Sequence, residues 1–225
     1  IALFVRAARA PIAAITGSNA KSTVTTLLGE MAREAGRQVA VGGNLGTPAL
    51  DLLAEMPNAE LYILELSSFQ LETTPFLGAT SVAYLNLSQD HLDRHGDMAG
   101  YREAKQAVFR GARHAVVNGE DAATWPLEPL PYLERFTTQP PQSDEWGIAV
   151  RNGQEWLMHG DEALMTTDAL GVAGRHNQAN VLAALAMGSQ LGFPLEAMCR
   201  AIRRFKGLPH RSEKLAEIEG VMWIN

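Results

Sequence analysis

Cysteine is nearly missing from this chain, with Cys199 alone among 225 residues. An intrachain disulfide and any cysteine-rich metal site are thereby excluded, and the place of Cys199 beside Met198 and Ile202 in a helical pattern assigns it to a core. Positive charge is also scarce: 19 Lys and Arg against 25 Asp and Glu leave a formal net charge of −6. Nucleic acid and anionic membrane are therefore not expected as partners, and any phosphate group must be met by local cations, for which Lys21, Lys105 and Arg211 are the candidates. No apolar run is long enough to span a bilayer and no secretory leader pattern is present, so a cytoplasmic protein without membrane insertion is expected. The first residue is Ile1 and residues 221–225 form an apolar run that reads as a strand cut short. The expectation is a piece of a longer protein, with one sizeable core.

What the chain does have is a segment that reads as a phosphate cradle, in preference to an ordinary strand-turn-helix with a Ser/Thr cap and a solvated lysine. Residues 11–16 form an apolar strand, 17–20 a turn of small residues, and Lys21, Ser22 and Thr23 open a helix. Such a turn aims backbone N–H groups at one anion, while the helix N-terminus adds its dipole, Lys21 a point charge and Ser22 a hydroxyl suited to Mg2+. The usual G-x-x-x-x-G-K-[ST] loop would place glycines at 15 and 20, where Ile15 and Ala20 stand. If position 20 requires a positive φ, the alanine methyl strains the loop; with a negative φ it is harmless.

Short apolar runs then alternate with amphipathic stretches. Strands are expected over 12–16, 38–42, 60–66, 81–87 and 113–118, and helices over 21–35, 47–55 and 98–111. That alternation predicts an α/β fold with a mostly parallel sheet of the phosphate-loop type flanked by helices, with ligands beyond the C-terminal strand ends. Five prolines between 124 and 145 are too many for continuous regular structure and predict a loop or connector. Asn152-Gly153 between apolar runs predicts a small antiparallel β appendage over 146–167. Helices are expected over 175–191 and 195–205, with a domain boundary at 206–211.

Several polar residues stand out against this frame. Glu65 ends an otherwise apolar strand, where either a bound Mg2+ or an ordinary salt bridge would satisfy it. Residues 88–95 form a dense polar cluster in which His91 is a candidate metal ligand, with Asp90 or Asp93 to orient it. Lys105 stands with Tyr101, Ala104 and Val108 in the apolar stripe of its helix. Periodicity favours a snorkelling stem there over a buried amine made reactive by a lowered pKa. Asn177 and Asn180 share a helix face and suit either a base edge or capping, and Arg211 suits either a phosphate or a hinge anchor.

Taken in order, these residues resemble the Mur ligases, the ATP-dependent amide-forming enzymes of peptidoglycan precursor synthesis. Their phosphate loop, T-G-x-N-G-K-[ST], matches residues 16–22 with Ala20 as the one departure. The segments at 42–46 (G-G-N-L-G), 64–72 (L-E-L-S-S-F-Q-L-E), 90–94 (D-H-L-D-R) and 101–105 (Y-R-E-A-K) are similar to the D-glutamate-adding branch. The resemblance implies that Gly17, Ser18, Asn19, Ala20, Lys21, Ser22 and Thr23 bind ATP phosphates, that Asn177 and Asn180 face adenine, and that Arg211 reaches the nucleotide. It implies Mg2+ at Ser22, Glu65 and His91, catalytic roles for Lys21, Glu65, His91 and Lys105, and muramoyl substrate near Asn44 and Ser67. Lys105 matches the lysine that the family carbamylates. The substrates implied are UDP-N-acetylmuramoyl-L-alanine and D-glutamate. Residues 1–206 would be the central ATP-binding domain and 207–225 a hinge with the first strand of a C-terminal domain, the N- and C-terminal domains of the same protein being partners outside this chain. Such a fragment is expected not to ligate alone. A folylpolyglutamate synthase-type or other Mur ligase, a nucleotide-binding regulatory module, and a structural domain with a degenerate loop are the alternatives.

Overall fold

The computed structural model describes residues 1–208 and, beyond them, the backbone of two paired antiparallel strands, Lys214–Ile218 and Val221–Ile224. Arg211 lies outside the described residues. Helix α1 (Ala2–Ala7) precedes β1 (Ile12–Thr16), α2 (Lys21–Glu34), β2 (Val39–Gly43), α3 (Ala49–Glu55) and β3 (Leu61–Glu65). Next come α4 (Ser68–Glu72), β4 (Ser81–Tyr84), α5 (Leu92–His95), α6 (Met98–Gln106) and β5 (His114–Asn118). The remaining elements are β6 (Tyr132–Phe136), β7 (Glu145–Arg151), β8 (Gln154–His159), β9 (Glu162–Thr166), α7 (Arg175–Gln190) and α8 (Leu195–Arg204).

These strands form one sheet in the order β2-β3-β1-β4-β5-β6-β7-β8-β9, parallel from β2 to β7 and antiparallel from there to β9. Strands β1 and β3 are buried at every position, as a parallel sheet covered on both faces requires. Side chains alternate between two cores: Ala13 and Ile15 face α2, α7 and α8, while Ile12 and Ala14 face the side of Phe4, Leu52 and Val108. Leu28 of α2 is fully buried in the first core, where α2 packs on both α7 and α8. Leu28→Ala is expected to destabilise the fold by about 2–5 kcal/mol through lost burial and an unfilled cavity, read as a lower urea midpoint.

One expectation is corrected. The span 124–145 is not irregular throughout, because β6 pairs in parallel with β5 from His114↔Tyr132 to Asn118↔Phe136. It occupies the stretch between Pro131 and Pro140, where no missing N–H interrupts a ladder. The expected antiparallel segment is present and joined to the main sheet: β7 pairs with β6, so β7 to β9 prolong it. Its hairpin turns at Asn152 and Gly153, both with positive φ (51° and 77°), as the Asn-Gly signal predicts. The short helices α1, α4 and α5 were not anticipated. Among the described residues no helix is long and apolar enough to cross a membrane.

Candidate functional site

The chain crosses from one half of the parallel sheet to the other at β1, which lies between β3 and β4, and a crevice beyond strand C-termini is the expected ligand site at such a point. After β1 the backbone passes through Gly17, Ser18 and Asn19 to Ala20, the N-cap of α2. Ala20 adopts φ 66° and ψ −3°, a left-handed conformation. The methyl group therefore carries strain, of about 1–2 kcal/mol for a non-glycine residue. Lys21 folds back over the turn, donating to the carbonyls of Gly17 (3.0 Å) and Ser18 (3.1 Å). Ser22 is buried at the first turn of α2.

Lys105 approaches the same turn from α6. Its ammonium donates to Gly17 O at 2.8 Å and sits 3.4 Å from Thr16 Oγ1, with Nζ 4.8 Å from the centroid of the Tyr101 ring. Only 1% of the residue is exposed, so it ends inside the core and does not snorkel. Burial, and then the charge of Lys21, push its pKa from 10.5 down to about 7. A sizeable fraction of neutral, nucleophilic amine is thus present near neutral pH.

Glu65 closes β3 beside this pair. It is buried, its Oε1 accepts from Asn44 Nδ2 at 2.8 Å, and its Oε2 has no hydrogen-bond partner. A buried orphaned carboxylate oxygen is costly and is satisfied by a cation, so the site fits a hard divalent ion. Asn44 itself is tied to β3 by its N–H on Glu65 O (2.8 Å), and Ser67 caps α4 in a capping box with Gln70. Both expected substrate-side residues therefore flank Glu65 in the chain fold.

The residue pattern over 15–188 matches the Mur ligase middle domain. The chain belongs to the Mur ligase family. It is 68% identical over its whole length to UDP-N-acetylmuramoylalanine--D-glutamate ligase of Chromohalobacter salexigens and 53% identical to the ligase of the same name from Nitrosococcus oceani. In each case the chain spans 50% of the relative's length. Among solved structures, a UDP-N-acetylmuramoyl-L-alanyl-D-glutamate--2,6-diaminopimelate ligase superposes with a TM-score of 0.72 at 25% identity, covering 93% of this chain and 49% of that one.

Within this Mur ligase domain, a cavity of about 290 Å3 runs from the phosphate turn to the start of α7 and is lined by Ala20, Thr23, Asn118, Phe136, Asn177 and Asn180. The two asparagines that the sequence singled out thus share one recess with the phosphate turn. Asn177 is held by Nδ2 on Ala173 O (2.7 Å), and Asn180 donates to Asn177 Oδ1 (3.3 Å). His91 does not line this recess: its side chain is 46% exposed, with a left-handed backbone (φ 50°), Asp90 Oδ2 3.4 Å away and the Phe69 ring at 5.0 Å. Among the described residues no three His, Cys, Asp or Glu side chains converge as a metal cage. An ion here would take few protein ligands and complete its shell from substrate and water, the habit of Mg2+. Asn86, Asn118 and Phe136 were not singled out as site residues. Asn86 carried a signal, an amide at the end of an apolar strand, whereas the two others sit on strands remote in sequence from the phosphate turn.

Proposed function

We propose that this chain is the central nucleotide-binding domain of an ATP-dependent ligase that joins D-glutamate to UDP-N-acetylmuramoyl-L-alanine in peptidoglycan precursor synthesis. The observation that carries the reading is the orphaned Glu65 carboxylate beside a phosphate turn that two lysines reach. The two relatives at 68% and 53% identity, both UDP-N-acetylmuramoylalanine--D-glutamate ligases, support the D-glutamate specificity. Residues 1–206 would form this domain and 207–225 the hinge and first strand of the next, the remaining domains lying outside the chain.

ATP phosphates would rest on the N–H groups that open α2, with Lys21 released from Gly17 and Ser18 to meet them. The substrate carboxylate oxygen attacks the γ-phosphorus, its bond forming as the β–γ bridging P–O bond breaks and ADP leaves. The D-glutamate amine then attacks the acyl carbon, loses a proton, and the tetrahedral intermediate expels inorganic phosphate to leave an amide. Ser22, Glu65 and His91 would hold Mg2+, which supplies neutralisation of phosphate charge when bound. Lys105, carbamylated by attack of its neutral amine on CO2 with loss of one proton, would turn a buried cation into an anion. Asn177 and Asn180 would meet adenine, and Asn44 and Ser67 the muramoyl substrate.

The test is phosphate release by the full-length protein with ATP, Mg2+, the UDP-muramoyl substrate and a panel of amino acids. Release that requires both acceptor and D-glutamate is expected, together with no D-glutamate incorporation by the 225-residue chain alone. ATP turnover indifferent to both acceptors would instead make the protein a nucleotide-operated switch, and preference for another amino acid would reassign the ligase.

A further inference from the structure

Asn86 follows β4 and lines the recess without a part in the chemistry above, and its side chain ties down the phosphate turn at Asn19. Its Oδ1 accepts from the N–H of Asn19 at 2.8 Å and its Nδ2 donates to the carbonyl of Asn19 at 3.2 Å. The carboxamide thereby mimics a neighbouring strand and fixes both peptide planes that flank residue 19. Around it, Ser18 N–H donates to Asn86 O (3.0 Å) and Asn19 Nδ2 donates to Ser88 Oγ (3.1 Å). The Ser18 hydroxyl bridges the carbonyl and N–H of Ser88, each at 3.0 Å. The segment after β4 is thus laced to the turn after β1.

The second of the two fixed planes, between residues 19 and 20, together with the first turn of α2, determines φ of Ala20. That φ is the left-handed 66° which alanine resists. We propose that Asn86 is a positioning residue: its carboxamide holds Asn19 so that Ala20 stays left-handed and the first N–H groups of α2 remain aimed at the nucleotide phosphates. The Asn19 N–H is consumed by this clamp and is no phosphate donor. A glycine at position 20 would need the clamp far less, since it takes the left-handed region freely.

The proposal rests on the nucleotide-binding reading above, and its test separates the two. In full-length protein without nucleotide, Asn86→Ala is expected to speed hydrogen exchange of the Asn19 amide at least about tenfold while leaving the melting transition of the domain near that of the parent. Mg-ATP affinity should fall about tenfold in Asn86→Ala but no more than about threefold when the same change is made in Ala20→Gly protein, a coupling that a merely structural residue would not show. Asn86→Asp keeps the acceptor for Asn19 N–H and places an oxygen against Asn19 O, so it should lose affinity like alanine, and it serves if alanine compromises folding. Unchanged Asn19 exchange, equal losses in the parent and Ala20→Gly backgrounds, or full affinity in Asn86→Asp would each overturn the clamp. Failure of the parent to bind ATP would overturn the nucleotide reading, with the exchange measurement still deciding the role of Asn86.

Discussion

Lys105→Met in the full-length protein is expected to abolish ligation, by at least about a thousandfold, while making the fold more stable. The lysine sits at 1% exposure with its pKa lowered to about 7 by burial and by Lys21, so folding exacts a cost for an amine that would rather be charged. A methionine of similar length removes that cost. The Gly17 carbonyl, which loses one donor, keeps the other from Lys21. The net gain at neutral pH is expected to be roughly 1–3 kcal/mol, below the full value of the pKa shift because the Gly17 and Thr16 contacts go too. Its pH dependence has a definite sign. Between about 7 and 10.5 the unfolded chain binds more protons at this position than the folded one, so stability of the parent rises with pH through that window. Chemical denaturation should therefore show the advantage of Lys105→Met largest below pH 7 and shrinking toward pH 10. Carbon-13 NMR with labelled bicarbonate should show a carbamate carbon on the parent and none on the variant. A parent that stays unmodified at saturating bicarbonate would remove the carbamate from the proposed mechanism.

Glu65→Gln is expected to lower turnover about a hundredfold or more and to raise the Mg2+ concentration needed for half-maximal activity by a similar factor. The amide can still accept from Asn44 through its oxygen, so the geometry at Oε1 survives, whereas the charge at Oε2 is lost. Thermal stability should hold or rise, since the amide nitrogen that takes the place of Oε2 is neutral and costs less to bury than a carboxylate charge. Isothermal titration with Mg2+ and nucleotide separates the effects. Wild-type metal dependence in the variant would show that Glu65 is satisfied in some other way.

Strands β1 and β3 were legible in the sequence because a parallel strand covered on both faces is apolar along nearly its whole length, and both ran close to their expected bounds. β6 was hidden by its flanking prolines, which break pairing only where they stand. Helices α4 and α5 span five and four residues, too few for a helical period to register. Lys105 was visible as an oddity in an apolar stripe, but its depth depends on β1 ending directly beneath it, which no local pattern encodes. The partnership of Asn86 with Asn19 spans 67 residues and uses backbone atoms, so side-chain identity at position 19 carries no trace of it.

The pairing of β6 between β5 and β7 gives the recess beside the phosphate turn an unusual kind of wall. Phe136, which lines it, belongs to an interior strand whose partners are Asn118 on one side and Trp146 on the other. The width of the recess is therefore set by a ruler graduated in single residues: slipping β6 by one step would swing Phe136 to the opposite face and bring Arg135 or Thr137 into its place. Strands β7 to β9, none of which lines the recess, act as the stop that keeps this ruler at its mark.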